Sequence, residues 1–245
     1  MARALGTGGR FFLAYLLLGA LVGTGVGLFI VLLERKGPAH WSSWHPESSS
    51  TVGLAQEIAT HVASGYRLPS GQELARVRIP PAQTESSLRA IGIPLTASPK
   101  NLADFRRFER DRSMMYALCG PDRNCRISER TAREHQVALR REALELALYT
   151  FKYSRPIQNV AVFFPPGPKQ TGPNAALFFH RADLARQLRL PLASTLSRPR
   201  PPLVGGVDPA EKSTVEQLTI SRLYRYQGIA KAGDFGDILV LSPVG

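Results

Sequence analysis

Between Phe11 and Leu33 the chain reads FFLAYLLLGALVGTGVGLFIVLL, 23 residues without a charge, Asn, Gln, His or Pro. As a helix this run reaches roughly 34 Å, enough to cross a hydrocarbon core of about 30 Å. A cleaved signal peptide would carry a shorter apolar region ending in a small-x-small site. Val31, Leu32, Leu33, Glu34 and Arg35 offer no such site, and no Cys follows for lipidation. The run therefore predicts an uncleaved transmembrane helix. Nothing later in the chain could span, so the 212 residues after Leu33 (245 − 33) lie on one side.

The flanking charges are nearly balanced, with Arg3, Arg10 and the α-amine before the run and Arg35 and Lys36 after it. A short basic N-terminus that stays inside is the usual arrangement for one N-terminal anchor. The expected location is the cell membrane, N-terminus cytoplasmic and C-terminal domain extracytoplasmic. Trp41 and Trp44 suit either the outer interfacial belt or packing on the domain.

Gly19, Gly23 and Gly27 recur every four residues, continued by Tyr15 and flanked by Thr24. That spacing keeps them on one helix face. Small residues there allow close backbone approach, the main route by which membrane helices associate. A second transmembrane helix, from another copy or another subunit, is the expected partner.

The remaining segments give a basic tail at 1–10, the span at 11–33, a linker at 34–50 and a domain at 51–245, with a candidate subdivision near 100–130. Ser49, Ser50 or Thr51 caps a helix through about Ser64, with Gly65 as C-cap. A strand is expected near Glu73–Ile79, stopped by Pro80 and Pro81. Residues 84–100 give no clear signal. Asn101–Phe108 reads as a short helix. Ser113–Cys119 reads as a strand that returns through Cys125–Ile127 as a hairpin. Thr131 and Glu134 form a capping-box pattern opening one helix to Tyr153. Ile157–Phe164 and Asn174–Phe179 are expected to pair antiparallel. A short helix over Arg181–Leu190, a loop over Ser197–Lys212, and strands over Thr219–Tyr226 and Asp237–Leu241 complete the reading. Adjacent strand pairs with separate helices predict an α+β fold rather than a doubly wound parallel sheet.

Tests for chemistry are negative. The five histidines show neither HExxH nor HxH spacing, no G-x-S-x-G elbow or P-loop occurs, and no metal or cofactor is expected. Glu142 and Glu145, beside Arg140 and Arg141, read as surface salt bridges, with Arg141–Glu145 an i,i+4 pair. Cys119 and Cys125, separated by GPDRN, read as one structural disulfide of an exported domain.

The formal net charge is +12. Between Leu146 and Val207 it is concentrated in Lys152, Arg155, Lys169, Arg181, Arg186, Arg189, Arg198 and Arg200, against Asp183 alone. Such a field suits an acidic protein or an anionic lipid surface; with no nucleic-acid motif, no nucleic acid is expected. Between Asp104 and Arg141, acids offset much of the arginine. The expectation is a non-enzymatic, single-pass anchored subunit or scaffold of a membrane or envelope assembly. The alternatives are a tethered receptor for an anionic ligand and, third, an enzyme with an unrecognised site.

Overall fold

The computed structural model describes residues 40–68, 70–81, 87–169, 175–196, 208–231 and 235–244. The expected span at 11–33 and its glycine stripe lie outside these residues. Among the described residues no helix is long and apolar enough to cross a membrane.

Helix α1 (Thr51–Gly65) starts where Ser50 Oγ accepts from the Gly53 amide at 3.0 Å. Leu54, Ile58 and Val62 turn inward at four-residue spacing. Gly65 is the last helical residue, and Tyr66, itself buried, takes the C-cap position in its place. Strand β1 is only Arg76–Arg78. Strand β2 (Leu88–Pro94) falls in the stretch that gave no signal, since Gly92 and Pro94 dilute its strand propensity. Asn101 caps a single 3-10 turn, and the chain then extends as β3 (Phe105–Glu109). The expected helix at 101–108 is therefore a turn followed by a strand; pairing with β2 overrides the helical spacing of Leu102, Phe105 and Phe108.

Strand β4 (Ser113–Cys119) forms as expected, but not as a hairpin. It pairs β1 antiparallel on one side and strand β5 (Asn159–Phe163) parallel on the other, leaving no place for 125–127. The Cys119–Cys125 disulfide is present and closes the loop after β4, with Cα atoms 4.2 Å apart. The Gly120 amide donates to the Cys125 carbonyl inside that loop.

The long helix divides in two, α2 (Glu129–Glu134) and α3 (Gln136–Tyr153). Ser128, not Thr131, is the N-cap: its hydroxyl accepts from the Thr131 amide and bonds the Thr131 hydroxyl. Glu134, expected to reach back to Thr131, is held by Arg130 at 2.8 Å. Strand β6 (Ala175–His180) pairs β5 antiparallel, as its sequence implied. After a 3-10 turn and short helix α4 (Ala185–Arg189), helix α5 (Pro209–Thr219) occupies the end of the expected loop and delays the next strand. Asp208 caps it and Pro209 opens it, a favourable start that Pro199, Pro201 and Pro202 just before it obscure in the sequence. Strands β7 (Leu223–Lys231) and β8 (Asp237–Pro243) follow.

The architecture is α+β. One mixed sheet of eight strands runs β1-β4-β5-β6-β7-β8-β2-β3, with parallel pairs at β4–β5 and β8–β2. Strands from before and after 100–130 thus share one sheet. Helices cover one face, where Met114, Tyr116, Val160, Val162, Leu177 and Phe179 meet residues of α1, α3 and α5. On the other face Met115, Ala161, Phe163 and Phe178 are covered not by helices but by Leu88, Ile91, Leu239 and Leu241 of β2 and β8. Strands from opposite ends of the order therefore pack together, and the sheet curls over itself. Phe108 of the end strand β3 lies 4.8 Å from Phe178 of β6, ring centre to ring centre. This curl creates the groove described next.

Trp41 and Trp44 pack on the domain rather than standing free. Trp41 lies edge-on to Tyr149 at 5.3 Å, and Trp44 stacks on His61 at 3.9 Å.

Candidate anion-binding groove

Where β3 approaches β6, two cavities of about 410 and 620 Å³ meet at Phe108 and His180. Phe108 and Phe178 form their apolar contact. A polar row crosses three neighbouring strands at one end: Ser113 is the register partner of Asn159, and Asn159 of His180.

The hydrogen bonds of this row fix the histidine. Ser113, fully buried, donates its hydroxyl proton to the Glu109 carbonyl at 2.7 Å. It accepts from Asn159 Nδ2 at 3.2 Å, so the amide oxygen of Asn159 must face His180. Asn159 Oδ1 lies 2.8 Å from His180 Nδ1, which therefore carries hydrogen. His180 Nε2 makes no hydrogen bond among the described residues. It accepts one when the ring is neutral and donates when it is protonated.

Charge surrounds the row. Arg107 and Arg112 line the smaller cavity, and Arg106 and Arg222 the larger. Glu109 and Asp183 also line the groove, leaving an excess of two positive charges (4 − 2). Asp183 is partly engaged, 3.5 Å from Arg222 Nε and accepting from the His180 amide. Arg107 lies over the Phe235 ring at 5.1 Å. Burial, reinforced by Asp183, raises the Tyr224 phenol above its usual range and keeps it a neutral donor.

The basic residues expected to form a surface do not all do so. Lys152, Arg155, Lys169, Arg186 and Arg189 are exposed. Arg181 is different: its guanidinium donates to the carbonyls of Phe151, Ser154, Arg155 and Ile157, stapling the end of α3. Arg198 and Arg200 lie outside the described residues. Three of the four arginines that converge, Arg106, Arg107 and Arg112, come instead from 104–141, where charge counting suggested cancellation. Several acids there are spent on local structure. Asp104 accepts from the Lys100 and Asn101 amides, Asp122 from those of Asn124 and Arg126, and Glu134 pairs with Arg130. No sequence spacing announces Ser113, Asn159 and His180, which are joined only by strand register.

Glu142 and Glu145 are not surface salt bridges. Both are buried, as is Arg141. Arg141 Nε bonds Glu211 at 2.8 Å, and Nη1 bonds the Tyr66 hydroxyl at 2.6 Å and Glu145 at 3.1 Å. Helical amphipathicity fails here because neighbouring α1 and α5 enclose the polar face of α3. Desolvation, then Glu145 and Glu73, raises the Glu142 carboxyl well above its usual range. Its oxygens find no hydrogen bond among the described residues. Also among those residues, no group of three His, Cys, Asp or Glu could hold a metal ion.

Comparison with known protein families, curated proteins and solved structures finds no match to this chain.

Proposed function

We propose that the protein is a non-enzymatic, membrane-anchored binding subunit of a membrane or cell-envelope assembly, recognising an anionic partner in the arginine-lined groove. Residues 11–33 anchor it and dock through Gly19, Gly23 and Gly27 onto another membrane helix. The folded domain stands outside the cytoplasm, where its disulfide is stable. The observation that carries the binding role is the Ser113–Asn159–His180 row, which spends buried polar groups on aiming one histidine nitrogen among arginines. The same row supports binding over catalysis. Ser113 is sealed and already donates to a carbonyl, so it is not presented as a nucleophile.

The test is co-purification of the full chain from detergent-solubilised membranes. Arg106→Gln with Arg112→Gln is expected to lose the anionic partner at physiological salt, and Gly23→Leu the membrane partner even at high salt, where surface charge is screened within about 3 Å. If both variants keep every partner of the parent chain, neither docking role stands.

A further inference from the structure

The groove is long in one direction, because its two cavities share only Phe108 and His180. One wall is β3, the last strand in the sheet order, which pairs with β2 alone among the described residues. Three consecutive residues of that strand, Arg107, Phe108 and Glu109, border the smaller cavity. Successive side chains of a strand point to opposite faces. Three in a row can therefore border one space only if the strand presents its edge to it. An end strand carries N–H and C=O groups with no strand partner along that edge; of these the Glu109 carbonyl already accepts from the Ser113 hydroxyl, which leaves the Phe105 carbonyl and the groups of Arg107 to meet a further strand.

We infer that the groove takes an extended acidic segment of a partner protein, which adds as a ninth strand against β3. The main chain of such a segment would pair with the free edge, and its acidic side chains would meet Arg106, Arg112 and His180 Nε2. In strand addition, backbone bonds supply affinity and side-chain subsites supply selection. Each half of that division has a counterpart here: the open edge for the first, the excess of arginine for the second. A small anion would use the arginines and leave the strand edge unused. The chain's own 197–207 segment carries Arg198 and Arg200 and no acid, so its charge is wrong for this site. The proposal rests on reading the groove as an anion site, and its test separates the two.

The full chain in detergent micelles is titrated with a fluorescein-labelled nonapeptide of alternating Glu and Thr, blocked at both ends. Two analogues carry N-methyl groups on one or the other set of alternate amides, and inorganic phosphate serves as the small-anion probe. Saturable peptide binding is expected, with slowed amide exchange at 105–109. One methylated analogue should bind about tenfold more weakly, the loss of two hydrogen bonds, and the other within about twofold. Arg106→Gln with Arg112→Gln should also weaken the parent peptide about tenfold. If both methylated analogues bind like the parent while the arginine variant still weakens binding, strand addition is overturned and the anion site survives. If neither peptide nor phosphate binds, the anion site falls and the proposal falls with it.

Discussion

Arg141 and Arg222 each have a carboxylate and a tyrosine as neighbours, yet their settings are opposite. Arg141 is fully buried and bonds Glu211, Glu145 and Tyr66 within the helical layer. Arg222 keeps 19% of its side chain exposed, pairs loosely with Asp183, and lies beside Tyr224 in an open groove. In the first cluster internal acceptors are matched to donors and water is shut out. In the second, Arg106 and Arg112 make no ion pair among the described residues and His180 keeps one nitrogen free. The same residue types thus serve cohesion where they are sealed and keep bonding capacity for a ligand where they are open.

The sharpest way to break this contrast is to remove Arg141. Arg141→Met leaves two buried carboxylates without their cation, and such a change costs about 3–5 kcal/mol. Urea or thermal unfolding of the full chain measures it, and an unchanged midpoint would mean that the sealed cluster contributes no cohesion. Next in size is the loop closed by the disulfide. Cys119→Ser with Cys125→Ser should cost about 2 kcal/mol in the chain-entropy picture. Intact mass after alkylation without reductant should find no free thiol in the parent chain.

A smaller effect separates protonation from pairing. The Glu142 carboxyl is raised in the folded state, so between its unfolded value, about 4.3, and its folded value the native chain binds a proton that the unfolded chain has lost. Stability is then greatest below the unfolded value and falls as pH rises. Glu142→Gln should flatten part of that fall, read from unfolding midpoints between pH 4 and 8; parallel slopes in parent and variant would contradict it. Smallest is His180→Gln, whose side-chain amide can still donate to Asn159 Oδ1 and should hold the stability loss to about 1 kcal/mol. It should nevertheless weaken binding of the acidic peptide, the pattern expected of an open site.

Elements with dense local signals were legible in the sequence. Ser50 followed by Leu54, Ile58 and Val62 gave α1, the SMMYALC run gave β4, and the β5–β6 pair followed from short valine- and phenylalanine-rich segments. The cysteine pair was legible from its close spacing, although the hairpin expected to carry it is a loop after β4. What failed depended on distant partners. Phe105–Glu109 is a strand only because β2 lies beside it, and Leu88–Pro94 only because β8 does. Arg141 and Glu145 look like an exposed helical pair until Tyr66 and Glu211, 75 and 70 residues away, close over Arg141. The groove fared worst. Its arginines were visible but seemed cancelled by acids that the fold uses as caps, and its central row exists only through the register of β4, β5 and β6.

The parallel pairing of β2 with β8 joins segments about 150 residues apart. It sets an order of assembly. During synthesis or export, β2 and β3 can form a hairpin early, but they have no seat in the sheet until residues 237–243 arrive. The groove wall is therefore finished only after nearly all of the described chain is available. Such late, non-local closure is slow, and in a nascent chain the groove stays absent until the domain is otherwise built. A partner that binds there, as proposed, would thereby also read whether folding is complete.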